Sequence, residues 1–319
     1  MLALLFAVAL QTTPHHYVYF NLDRARIRDA SFLATTAIEG AQIKYTWRQL
    51  EPEAGVYDFS AIREDLQFLT DHKKKLFIQL QDVSFDSARI NVPTYLLTDP
   101  QYHGGIAPQR ENESSRNAGW AARRWDVAVQ RRMHLLYQAL GKEFDGKIEG
   151  ITLPETSLVF GDDTVPRPEG FNNARYRDAV IENMTAFKRA FPKSVAMQYL
   201  NFMPGKWDNG EGTGYLREVF EAAERIGIAV GGPDLMPYKA GQMRNSYPLL
   251  RASKGTRKGL AVQDGNLEHI NPRTKARVTL NEILEFATDY LGLYYIFWQN
   301  EEPSYTNKVL PLLQTMTGK

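Results

Sequence analysis

Lys147-Ile-Glu-Gly-Ile-Thr-Leu-Pro-Glu-Thr-Ser-Leu-Val-Phe160 is the stretch on which the reading of this chain turns. Ile148, Ile151 and Leu153 form an apolar run of strand length, and it stops at once on Pro154 and Glu155. Proline brings no amide hydrogen to a ladder, so strand pairing ends there. A carboxylate is thereby left at the tip of a buried strand, where a charge is costly unless something there uses it.

The same unit recurs on both sides of this stretch. Apolar, β-rich runs predict strands at 17–20, 40–45, 75–81, 149–153, 194–199, 228–231, 259–264 and 293–298. Helical stretches are expected between and after them, at 24–38, 60–72, 122–140, 174–191, 215–226, 247–253, 280–290 and 308–316. In the third of these, Val127, Met133, Leu136 and Leu140 fall on roughly one face. Regular alternation of strand and helix implies a parallel sheet. Eight such units in 319 residues fit an α/β fold closed into a single (β/α)8 (TIM) barrel better than an open doubly wound sheet. No low-complexity linker divides the chain, so residues 15–319 are read as one domain. In such a barrel the C-terminal ends of the strands form the active face, and Glu155 faces its mouth. The long loop at 83–119 lies on that face too, and loops of this length are commonly functional.

Composition narrows the class of function. Hydrophobic residues make up 43% and charged residues 24%, an ordinary globular balance, and the formal net charge is +1. That balance offers no basic footprint for nucleic acid. Lys73-Lys74-Lys75 and Arg123-Arg124 are short, separate runs read as solvated helix faces. The chain has no cysteine, which excludes disulfides, zinc thiolates and a cysteine nucleophile. Residues 2–10 are apolar and Ala7-Val8-Ala9 has the small-x-small form of a cleavage site. Residues 1–14 are therefore read as a signal-peptide remnant that lacks its basic start, and the protein as periplasmic or secreted. The segment is too short for a membrane span, and no other apolar run approaches the ~20 residues needed.

Other chemistries find little support. Of the six histidines, His15 and His16 precede the first strand, His72 and His134 lie in helical stretches, and His103 and His269 are isolated in loops. None forms the cluster a metal centre needs, so neither a metal nor another cofactor is expected. The glycine-rich stretch at 210–214 lacks a P-loop lysine and does not directly follow a strand, so it is read as a flexible loop. Asn112-Glu-Ser114 and Asn183-Met-Thr185 match a glycosylation sequon, a short pattern frequent by chance. Taken alone, Glu155 could equally be a loop carboxylate capping the next helix. The other strand ends shift that balance, because they carry amides, carboxylates and tryptophans. Asn21 and Asp23 follow the first strand, Lys44, Trp47 and Arg48 the second, and Gln81 and Asp82 the third. Gln198 and Asn201 follow the fifth, Asp234 and Tyr238 the sixth, Gln263, Asp264 and Asn266 the seventh, and Trp298 to Glu302 the eighth. Amides and carboxylates hydrogen-bond hydroxyl groups, and aromatic faces pack on sugar rings.

Several segments resemble barrel glycoside hydrolases of the large retaining clan, the β-galactosidase and cellulase-like barrels. Trp47-Arg-Gln-Leu-Glu-Pro-Glu-Ala-Gly-Val-Tyr-Asp-Phe59 is similar to the stretch after their second strand, and Val92-Pro-Thr-Tyr-Leu96 to one after the third. The opening stretch, Ile148 to Glu155, resembles their fourth strand, and Tyr295-Ile-Phe-Trp298 their eighth. The likeness spans most of the chain thinly. It implies that Glu155 is the acid/base and that a carboxylate at the end of the seventh strand is its partner, which maps to Asp264. This chain has Asp264 where those enzymes have Glu, and Pro154 where they usually have Asn. Glu301 or Glu302 is the second candidate for the partner.

Glycoside hydrolysis needs such a pair, about 5–5.5 Å apart for retention and about 6.5–9.5 Å apart for inversion. The expectation is therefore a glycoside hydrolase that cleaves an O-glycosidic bond of an oligo- or polysaccharide. Glu155 and Asp264 would be catalytic, and Arg48, Asp82, Gln198, Asn201, Asp234, Tyr238, Gln263, Trp298, Glu301 and Glu302 would line the sugar site. The alternative is a glycan-binding barrel without catalysis, and a lyase or metal-dependent hydrolase on the same fold is a third. Catalysis requires a Glu155 of raised pKa beside an ionised partner, and binding alone does not.

Overall fold

The computed structural model describes residues 13–110, 117–161, 165–205 and 214–316. The leader reading at residues 1–12, the sequon at Asn112 and most of the glycine-rich stretch lie outside the described residues. Eight parallel strands close a barrel. In chain order they are His15–Asn21, Ile38–Thr46, Lys75–Gln81, Gly150–Leu153, Val195–Tyr199, Ala229–Gly232, Lys258–Val262 and Tyr295–Gln299. Each pairs with its successor, and the eighth pairs back to the first. The chain is a single (β/α)8 barrel.

Two apolar shells hold it together, and period-two alternation along each strand decides which residue enters which. Inside the barrel, Tyr17, Phe77, Met197, Tyr199, Tyr295 and Phe297 pack together. Between barrel and helices, Val18, Ile43, Tyr45, Ile78, Ile151, Val230, Ile296 and Trp298 join a second, larger core. The interior works by pairing large residues with glycines on other strands. A Cβ added at Gly40 would stand 2.7 Å from the Tyr17 ring, and one at Gly150 would stand 2.4 Å from the Phe77 ring. The interior is a packed core up to its mouth, not a pore.

The helices start where local chemistry satisfies their free amides. Asp126 accepts from the amides of Ala128 and Val129 at 2.9 and 3.3 Å and opens Val127–Phe144. Asn172 does the same for Asn173–Ala190, and Thr279 with Glu282 forms a capping box for Leu280–Glu285. Helix Tyr215–Ile226 ends on Gly227 at φ +73°.

Three expectations are corrected at this level. The stretch 24–38 does not form one helix. It divides into the short turns Arg24–Arg28 and Ala30–Ala34 because Asp29 between them is extended, and the second strand already begins at Ile38. The seventh strand ends at Val262, so Asp264 falls in the turn Asp264–Glu268, where the Asn266 side chain accepts from the Gln263 amide at 3.0 Å. The short basic runs are not helix faces, and only part of them is solvated: Lys73 and Lys75 are exposed, but Lys74, Arg123 and Arg124 are buried. The buried three lie outside helices, where carbonyls and a carboxylate take their donors. Asn183 of the second sequon is also buried, and its side-chain oxygen meets His134 Nε2 at 2.9 Å.

The long loop folds into a small antiparallel sheet on the mouth side. Val83–Ser84 and Ile106–Arg110 flank Asn117–Ala122. The Arg110 amide donates to the Val159 carbonyl at 2.8 Å and ties this sheet to the loop after the fourth strand. No helix among the described residues is long and apolar enough to cross a membrane.

Candidate active site

The fourth strand ends in a clamped turn. Gln198 Nε2 donates to the Pro154 carbonyl at 2.6 Å, and Arg124 donates to the Glu155 carbonyl at 2.9 Å. The Thr156 amide donates to the Tyr199 carbonyl at 3.2 Å, and the Tyr176 hydroxyl donates to the Thr156 carbonyl at 3.0 Å. Arg124 is itself fixed by a buried fork, with Nε and Nη2 donating to the two oxygens of Asp82 at 2.8 and 2.5 Å. Such planar pairing removes the freedom of the guanidinium and, through it, of the Glu155 backbone.

The Glu155 side chain is half-buried at the mouth, and Asn201 at the end of the fifth strand donates to its Oε2. Burial raises its pKa from 4.5 to about 7. The Asn201 hydrogen bond opposes that rise, the like charge of Asp234 adds to it, and Arg124 and Lys44 oppose it. Asp234, after the sixth strand, accepts from Asn266 at 3.1 Å and from Gln242 at 3.3 Å. Glu155 is therefore a carboxylic acid that gives up its proton only as the pH reaches about 7, with an acidic neighbour fixed by amides. On the near side, Lys44 is half-buried with its ammonium 5.8 Å from the centre of the Tyr19 ring. Burial lowers the Lys44 pKa to about 8.

Around these groups the first, third and eighth strands carry polar atoms with no partner among the described residues. Asn21 Oδ1, Gln79 Oε1, Gln81 Oε1 and Gln299 Nε2 are buried without a hydrogen bond. All four belong to the inward-facing set of their strands, the set that includes Tyr17, Phe77 and Phe297. A buried amide without a partner is costly, and such a cluster marks a place where hydroxyl groups or water complete the bonding.

The expected site residues divide into those at the mouth and those that build the walls. Glu155, Asn201 and Asp234 come together. Glu301 is exposed after the eighth strand, where its charge acts on Tyr19. Gln263 is half-buried and donates to the Pro233 carbonyl at 2.9 Å, bridging the sixth and seventh strand ends. Tyr238 is half-buried against the core, with its backbone at φ +68°. Asp264 opens its turn beside these residues, and its side chain lies outside the described ones.

The others serve the frame. Trp298 is fully buried in the outer shell and donates to His16 Nδ1 at 3.0 Å, because its neighbour Phe297 takes the inward place. Asp82 gives both oxygens to Arg124, and Gln198 gives its amide to backbone carbonyls, so neither reaches the mouth. Arg48 is exposed and pins the next loop by donating to the Val92 carbonyl at 2.9 Å. Glu302 is paired with Arg26 at 2.9 Å and accepts from the Thr306 amide at 3.1 Å. Trp47 is buried and donates to Glu51 at 2.8 Å, and Glu51 also takes the Gly55 amide and Arg132. The Trp-x-x-Leu-Glu-Pro stretch is thus a structural turn.

Sequence reading passed over Arg124, Tyr19 and two aromatics of the long loop. Phe85 is 59% exposed, and Trp120 is half-buried with its indole donating to the Ser87 carbonyl at 2.9 Å. Trp120 lies on the small sheet of that loop, and Phe85 directly follows its first strand. Among the described residues no group of three or more histidines, aspartates or glutamates is placed to hold a metal ion.

Comparison with known proteins gives a likeness of fold. No family model matches the chain, and no curated protein matches its sequence. Solved structures do match. Endo-glycoceramidase II from Rhodococcus sp., solved with a five-membered iminocyclitol, is similar over 95% of this chain and 78% of its own, at 10% identity and a TM-score of 0.55. Xylanase 10B from Thermotoga petrophila RKU-1, solved with xylobiose, is similar over 90% of this chain and 82% of its own, at 10% identity and a TM-score of 0.52. A GH10 endoxylanase from a sugarcane soil metagenome is similar over 90% and 86%, at 12% identity and a TM-score of 0.51. The chain therefore shares the barrel fold of glycoside hydrolases at a distant level of sequence.

Proposed function

We propose that this chain is a glycoside hydrolase that cleaves an O-glycosidic bond of an oligo- or polysaccharide, with Glu155 as the general acid. One observation carries the reading. Glu155 stands on a clamped backbone at the barrel mouth with its pKa raised to about 7, in a barrel whose first, third and eighth strands carry inward amide atoms with no partner among the described residues. A protonated carboxyl at neutral pH can give its proton to a leaving glycosidic oxygen. The amides would take sugar hydroxyls in place of water. Asp234 supports the role through its like charge, which favours the protonated Glu155.

We assign the partner carboxylate to Asp264, in the turn just after the seventh strand, with Glu301 second. Glu302 is withdrawn from that role because Arg26 and Thr306 engage both its oxygens. A secreted or periplasmic setting fits a glycan substrate and stays part of the proposal.

The test is turnover on a panel of plant and bacterial oligosaccharides by wild type, Glu155→Gln, Asp264→Asn and Glu301→Gln. The reading expects cleavage of at least one substrate by wild type and its loss in Glu155→Gln. Loss in Asp264→Asn but not in Glu301→Gln assigns the partner, and the anomer of the first product then reports retention or inversion. Wild type that binds a glycan and cleaves none would make the chain a binding barrel and overturn the reading.

A further inference from the structure

Among the described residues, Lys44 is a mouth cation that the glycosidase reading leaves without a task. It lies on the inward face of the second strand, in register with Gln79 of the third, and only Thr46 stands nearer the end of that face. Among the described residues no oxygen accepts a hydrogen bond from its ammonium, and no carboxylate pairs with it. Its polar surroundings are the Tyr19 ring at 5.8 Å and the charges of Glu155 and Arg89. Two lysines at the strand starts, Lys74 and Lys75, contrast with it. Lys74 donates to the carbonyls of Thr35 and Ile38 at 2.9 and 2.5 Å, and Lys75 pairs with Glu149 at 3.2 Å. An ammonium offers three donors and no acceptor, and withdrawing it from water without an anion is costly.

We propose that Lys44 is the anion-recognition point of a subsite for acidic sugars, so that the substrate carries a carboxylate or sulfate ester on a ring next to the scissile bond. This rests on the glycoside hydrolase reading of the same mouth. The neighbouring chemistry fits. Gln79 Oε1 and Gln81 Oε1 on the adjoining strand are open acceptors for the hydroxyls of the same ring, and Gln299 Nε2 is an open donor. The Tyr19 ring walls the cation on one side. Glu155 only partly offsets Lys44, because burial holds its pKa at about 7 and so leaves it roughly half ionised at pH 7, whereas Lys44 at about 8 stays largely charged there. Asp234 follows the sixth strand, across the barrel from the second, so its charge disfavours an acidic group on that side. A site built around a buried charge also rejects a neutral analogue, because that analogue leaves the charge unpaired.

The experiment is calorimetric titration of the full chain carrying Glu155→Gln, which separates binding from turnover. The probes are disaccharides ending in glucuronate, galacturonate or glucose 6-sulfate, beside their neutral glucose and galactose counterparts. We expect an acidic probe to bind about 10- to 100-fold tighter than its neutral counterpart. Adding Lys44→Gln should remove that preference and Lys44→Arg should retain most of it, and the preference should shrink as salt rises. Which acidic probe wins assigns carboxylate or sulfate. Equal binding of acidic and neutral probes, or a preference that survives Lys44→Gln in a chain of unchanged melting temperature, would overturn the proposal. Should Lys44→Gln fail to fold, the acidic-to-neutral ratio and its salt dependence in the Lys44 chain decide alone. Acid-selective binding without cleavage by wild type would sink the hydrolase reading and leave this subsite standing. Cleavage of neutral glycans without acid selectivity would do the reverse.

Discussion

At Glu155 two opposing influences meet. Burial and the Asp234 charge favour the protonated form, while Asn201, Arg124 and Lys44 favour the ionised one, and burial wins. The fold then holds the proton more tightly than the unfolded chain does. The stability linked to Glu155 is therefore fully present below pH 4.5 and is lost as pH rises toward about 7. Glu155→Gln cannot ionise, and its amide oxygen can still accept from Asn201. The variant should be more stable than wild type by on the order of 2 kcal/mol at about pH 8 and equal to it at about pH 4. Urea unfolding at the two pH values checks this, and the same gap at both would show that ionisation is not its source. The position of Glu155 was legible in the sequence because strand, proline and acid are adjacent in the chain. Its fixation was not, because Arg124 lies 31 residues away and acquires its role only by meeting Asp82.

Between elements, the buried Asp82–Arg124 fork joins the end of the third strand to the turn before helix Val127–Phe144, and through Arg124 to the fourth strand. Removing one partner strands a charge in the interior. Asp82→Ala should cost about 3–5 kcal/mol, while pairing it with Arg124→Met should recover much of that loss. Thermal melts of the single and double variants decide it, and additive losses would mean the pair does not act as a unit. The same scale explains why the tryptophans were misread. Residue type suggested sugar contacts at Trp298, but side chains alternate along a strand, so an inward Phe297 sends Trp298 outward and returns Gln299 to the mouth. That alternation was in the sequence, and applied to the eighth strand it singles out Gln299. The partner carboxylate was less legible, because a strand that ends two residues earlier than expected moves Asp264 from a strand end into a turn.

At the scale of the molecule, eight alternating units were enough to read the barrel, since closure needs only the count and the order of strands. What that reading did not contain is how the interior is filled. Glycines on the second and fourth strands make room for Tyr17 and Phe77, and that complementarity appears only once the strands are in register. Gly150→Val should lower stability by at least about 1–3 kcal/mol, because its Cβ would enter the Phe77 ring. An unchanged denaturation midpoint would contradict the close packing described here. The filled barrel gives the mouth a rigid floor, and on it the account rests its central claim, that Glu155 protonates a leaving sugar oxygen. Once a substrate is found, the direct measurement is the Glu155→Gln to wild-type rate ratio on two glycosides of the same sugar, one with a natural sugar leaving group and one with dinitrophenolate, which needs no proton to depart. The account predicts a fall of about 10²–10⁴ on the first and a far smaller loss in the bond-breaking step on the second. Equal losses on both would contradict it and leave Glu155 as a structural or binding carboxyl.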